Sequence, residues 1–230
     1  MAERGRRIMK YYCGGRGSSS SSGGGFGRGG GLNPNNIVST TSLISGRNGG
    51  YRDEVDQVLT VARDIQEQYG VNLDYDIATL KGKDAQGTLG YYDGSNLAIN
   101  KNYLNVDKMN KTYDASVESG YHPSRGNKSG LEAVTSHEMG HKLTDEIGKK
   151  MGLGSWQLEK ASDSILKQAT TKAGYKKNET FKLASKISGY AKSSKAEALA
   201  EAFADVYCNG SKASKESKAV VDVMNSYFKK

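Results

Sequence analysis

The stretch SGLEAVTSHEMGHKLTDEIG, residues 129–148, constrains the fold of this 230-residue chain more than any other. It opens on Ser129 with Glu132 three positions later, the pattern of a capping box in which each side chain satisfies the other residue's backbone N–H. Met139, Leu143 and Ile147 follow at helical spacing and supply an apolar packing stripe. A helix is therefore expected from Ser129 to about Gly148. Residues four apart on it project from one side, so His137 and His141 can converge on one point while the stripe faces away. Glu138 lies about 100° round from His137, beside that point rather than at it. The helix has a packing face and a chemical face.

Upstream, Val55, Val58, Leu59, Ala62 and Ile65 recur at helical spacing, and Gly70 ends that helix. VNLDYDIATL (71–80) alternates apolar and polar residues and reads as a strand. Gly and Asp turn signals follow, and NLAINKNYL (96–104) offers a second strand near a sheet edge. Residues 107–118 read as helical. Further helices are expected at about 155–172, 178–187, 194–208 and 213–228. Strands first and helices after is an α+β order, with a small mixed sheet and a mostly helical C-terminal half.

The N-terminal region differs in kind. CGGRGSSSSSGGGFGRGGG (13–31) has almost no side chains to bury against its ordering entropy, so residues 1–50 are expected to be a disordered, basic, Gly/Ser-rich tail and linker. The folded domain would then be 51–230. Arg4, Arg6, Arg7, Lys10, Arg16 and Arg28 stand against Glu3 alone, so about +5 of the net +8 lies in the first 31 residues. Such a tail permits weak RNA contacts or tethering to an assembly, although a plain linker is the simpler reading. The remainder is mildly basic and gives no general nucleic-acid surface. Cys13 and Cys208, the only cysteines, make a disulfide framework unexpected. No signal-peptide pattern and no apolar run of membrane-spanning length is present, so no membrane partner is expected, and the location is read as cytoplasmic or virion-associated.

HEMGH carries the chemistry. His-Glu-x-x-His on a helix gives two ligands to a zinc ion and places a glutamate as general base for the attacking water. A zinc hydrolase needs a third protein ligand. His122, the one remaining histidine, lies in the loop YHPSRG and reads as solvent-exposed. A further downstream histidine is absent, because KLTDEIG follows His141. A carboxylate is therefore required. In YAKSSKAEALAEAFADVY (190–207), Glu197, Glu201 and Asp205 are four apart and share a helix face. They repel one another unless a cation or histidines receive them. A solvated acidic stripe would explain the charges. It would not explain the alanines at 196, 198, 200, 202 and 204, nor the apolar stripe Leu199, Phe203 and Val206.

HEMGH, then a tyrosine and EALAEAFAD, resembles the gluzincin metallopeptidases of the anthrax lethal factor type and the zincin-like domains of phage and mobile-element proteins. The resemblance covers roughly residues 90–208. It implies a zincin-like fold in which an edge strand runs along the substrate cleft, a role open to NLAINKNYL, with the sheet packed on the active-site helix. It further implies one zinc ion per chain with Glu197 as third ligand, Glu201 supporting a zinc-binding histidine from behind, and Tyr190 facing the metal seven residues before the ligand. A rival assignment takes Glu201 as ligand and Asp205 as the orienting acid, the thermolysin-like arrangement; the position of Tyr190 favours Glu197. The implied activity is zinc-dependent hydrolysis of a peptide or protein substrate in a phage or mobile-element setting. The alternative is a virion or structural protein in which peptidase activity is secondary or absent. The toxin's large partner-binding domains have no counterpart here, so its delivery and substrate choice do not carry over.

Overall fold

Helix α5 (Gly130–Lys150) begins as its sequence dictates: Ser129 Oγ accepts the backbone N–H of Glu132, and the Glu132 carboxylate accepts that of Ser129. From Gly130 to Asp145 all its residues except Glu132 are buried, polar ones included. A helix enclosed on every side must be the centre of its fold rather than its surface. The computed structural model describes residues 11–14, 32–154 and 158–229; most of the low-complexity stretch 13–31 and the expected helix start at 155 lie outside them.

Ahead of α5 lie strands β1 (Tyr11–Gly14), β2 (Ile37–Ser42), β3 (Asp74–Leu80), β4 (Thr88–Tyr92) and β5 (Asn96–Asn100). They form one sheet in the order β1-β4-β5-β3-β2. β3 and β5 run parallel and the other neighbours antiparallel, so the sheet is mixed. Helices α1 (Leu43–Asn48), α2 (Arg52–Tyr69), α3 (Asp84–Gly87) and α4 (Val106–Glu118) are interspersed. Gly70 ends α2 with a φ of 65°, the left-handed cap that glycine adopts without strain. After α5 come α6 (Leu158–Lys172), α7 (Thr180–Ile187), α8 (Lys195–Asn209) and α9 (Lys215–Ser226). The architecture is α+β, with a small mixed sheet and a mostly helical C-terminal half.

Two expectations are corrected. The folded region starts before residue 50: β2 pairs with β3, and Leu43 of α1 is fully buried in the main core. Polar residues on β2 explain the difference: it is an edge strand of the sheet, and every residue of it after Ile37 is exposed, so Ser and Thr are accommodated there. Conversely, the strand within NLAINKNYL is not at an edge but lies between β4 and β3. Its polar Asn100 is buried and donates its amide to the backbone oxygens of Thr88 and Ala85, so it works inside the sheet. β4 had been hidden by the glycines and aspartates around it. Its Gly90 lets the sheet close on α5, since a Cβ there would stand 2.9 Å from Val134 Cγ1.

α5 and α8 make the most extensive helix contact of the fold. Their approach depends on Gly140: a Cβ at that position would lie 2.9 Å from Ala200 Cα and 3.2 Å from Phe203 Cβ. The clash is with backbone, so the helices themselves must move apart. Replacing a helix-interior glycine by alanine ordinarily stabilises by roughly 0.5–1 kcal/mol. Here the opposite sign is expected. Gly140→Ala should lower the free energy of unfolding in urea by about 1–2 kcal/mol, as overpacking does. An increase in stability would show that α8 does not lie as close as described.

Candidate metal centre

His137 and His141 leave α5 on the side that faces α8, and Glu197 meets them from the first turn of α8. Ser194 caps that helix by accepting the Glu197 backbone N–H at 3.1 Å. Glu197 therefore sits at a helix N-terminus, where the aligned peptide dipoles favour a carboxylate. Its Oε2 lies 3.1 Å from His137 Nε2 and 3.2 Å from His141 Nε2. One ligand atom from each of the three residues falls within 4.8 Å of the others, and all three side chains are buried. Donor atoms around a tetrahedral ion, each about 2.0–2.1 Å from it, stand roughly 3.3 Å apart. Two imidazole nitrogens and a carboxylate oxygen at these spacings could hold a metal ion.

Glu201 stands one turn further along α8, behind His137. Its Oε1 lies 2.9 Å from His137 Nδ1, a close charged contact that is off the line of a well-aligned hydrogen bond. The same oxygen is 3.0 Å from His122 Nδ1. Oε2 accepts a hydrogen bond from Ser188 Oγ at 2.6 Å. Asp205 does not join this group. It accepts from Asn209 Nδ2 and from the Ser214 backbone N–H, and so ties the end of α8 to the start of α9.

The electrostatics follow from burial. Enclosure alone would push both glutamates up, yet His141 and His137 hold Glu197 down at about 2, and His122 and His137 do the same for Glu201. Burial likewise works against a charged His137, but the Glu197 and Glu201 carboxylates outweigh it and raise His137 well above the usual imidazole range. For His141 burial prevails and its pKa is lowered. Two ionised carboxylates thus call for positive charge between them. A proton on His137 supplies it in this arrangement, and a divalent cation would compete for the same place.

No family model, curated protein or solved structure matches the chain. The site rests on its own geometry. Tyr190 is buried, with its ring 5.9 Å from that of His137 and nearly parallel to it. Glu138 is fully buried beside His137. Successive residues turn by about 100°, which places Val134, Glu138 and Asp145 within a sector of about 40°. That sector faces β4, because Gly90 abuts Val134 and the Tyr92 hydroxyl donates to Asp145 Oδ2 at 2.8 Å. Glu138 is therefore set on the sheet side of the ligands and Glu197 on the α8 side.

His122 overturns its sequence reading. It is only 2 % exposed, its ring stacks on Tyr113 at 5.2 Å and 10°, and all three histidines of the chain fall in one cluster. Ser188 was also missed. The available signal was arithmetic: a buried carboxylate accepts several hydrogen bonds, so an acid supporting one histidine leaves lone pairs for other donors.

Proposed function

We propose that the chain is a zinc-dependent endopeptidase, with His137, His141 and Glu197 as the metal ligands. The observation that carries this is the count and kind of donors. Structural zinc sites are closed by four protein ligands, whereas hydrolytic sites use three and leave a position for water. Among the described residues the cluster offers three. A zinc ion held there would supply Lewis acidity toward a peptide carbonyl and would lower the pKa of bound water toward neutrality. Glu138 accepts the proton of the water that attacks the carbonyl carbon, then delivers it to the departing amine nitrogen. The Tyr190 phenol donates a hydrogen bond to the oxyanion that develops on the carbonyl oxygen. Glu201 holds the imidazole of His137 so that Nε2 points at the ligand position. The likeness of HEMGH and EALAEAFAD to lethal-factor-type gluzincins supports the same assignment of roles, and a phage or mobile-element setting with it.

The depth of the site favours one other reading, a zincin-like domain kept for structure or assembly. His137, Glu138 and His141 are each no more than 1 % exposed. Incubation with a diverse peptide library, with and without a chelator, separates the two by mass spectrometry. Cleavage that stops on chelation and returns with added zinc is expected. A zinc-loaded chain that cuts nothing would leave the structural reading in possession.

A further inference from the structure

We infer that His122 is a positioning residue for the metal centre, acting through Glu201 on His137. The inference rests on the metal-binding reading above and deepens it. Glu201 Oε1 is held between two ring nitrogens, His122 Nδ1 at 3.0 Å and His137 Nδ1 at 2.9 Å, while Ser188 Oγ fixes the other oxygen at 2.6 Å. A carboxylate on a flexible three-bond side chain needs such anchors to present one oxygen in one direction. Without His122 the carboxylate is free to pivot about its Ser188 bond, and the oxygen facing His137 is no longer set.

His122 is itself built in. Its ring lies flat on Tyr113 of α4 and edge-on to Tyr121 and Tyr190. The loop that carries it is joined to the segment ahead of α8 by two backbone hydrogen bonds, Gly189 N–H to Gly120 O and Tyr190 N–H to Tyr121 O, both 2.8 Å. At Gly189 a Cβ would stand 2.8 Å from Gly120 O, so the approach requires glycine. One loop thus braces Glu201 through a side chain and Tyr190 through the backbone. The outer partner of a metal-binding histidine is known to matter by 10–100-fold in affinity or activity, and here that partner has a partner of its own.

The test is zinc titration of the full chain against a chromophoric chelator, with two substitutions. His122→Phe keeps a flat ring on Tyr113 but removes the donor. His122→Asn loses the ring but places an amide N–H two bonds from Cβ, where Nδ1 stood. His122→Phe is expected to weaken zinc by about 10–100-fold, with His122→Asn within a few-fold of wild type. The visible spectrum of the cobalt-substituted Phe variant should shift, since His137 is then less firmly oriented. Zinc binding by the Phe variant equal to wild type overturns the inference alone. So does equal weakening in both variants matched by equal loss of thermal stability in the metal-free protein, which would mean that His122 only packs. A wild-type chain that takes up no zinc overturns the metal reading itself.

Discussion

Glu138→Gln is expected to lower peptide hydrolysis by about 10²–10⁴-fold while zinc stays bound. Glutamine has nearly the same shape but cannot take a proton from water, so the substitution removes the basicity and the charge while keeping the packing. Glu138 is fully buried on the sheet-facing sector of α5 and is not one of the three clustered donors. Its loss should therefore leave the ligands where they are. Activity is read on a cleaved library peptide, and zinc content by elemental analysis of the same sample. A variant that still cuts would strip Glu138 of its role as base. One that loses zinc as well would make it part of the metal support.

The second large effect separates ligand from support. Glu197→Ala should weaken zinc binding by more than Glu201→Ala, for which a loss of about 10–100-fold is expected. The reason is positional: Glu197 Oε2 stands between the two Nε2 atoms, whereas of the two clustered histidines Glu201 touches only His137, at its far nitrogen. Asp205→Ala should leave zinc affinity unchanged and cost stability, because that carboxylate caps the α8–α9 connection instead. The thermolysin-like alternative expects Glu201→Ala to be the most damaging and Asp205→Ala to act on the metal. Chelator competition on the three purified variants ranks them.

Much of the helical half was legible in the sequence for a physical reason. The Ser129 capping box and the Gly70 stop are local signals, and helices are stabilised by contacts a few residues apart. Helical spacing puts His137 and His141 on one face and Glu197, Glu201 and Asp205 on another. The choice of Glu197 among the acids comes only from the resemblance to lethal-factor-type gluzincins, and the structure brings that residue to the two histidines. The sheet was less readable. Whether a strand is central or at an edge depends on neighbours distant in the chain, and NLAINKNYL reads as an edge strand although its Asn100 is tied to the backbone at Thr88 and Ala85. His122 failed in the same way. Nothing near it in sequence tells that Tyr113 and Glu201 enclose it. Gly140 lies between: the alanines of α8 are unexplained by a solvated face, but only the fold shows that Ala200 meets Gly140.

The central claim is that His137, His141 and Glu197 hold one metal ion. Elemental analysis of the purified chain, joined to zinc titration of chelator-stripped protein, tests it without any assumption about substrate. One zinc per chain is expected, with uptake abolished in a His137→Ala, His141→Ala double variant. A wild-type chain that is folded, carries no zinc and takes none from solution would contradict the account.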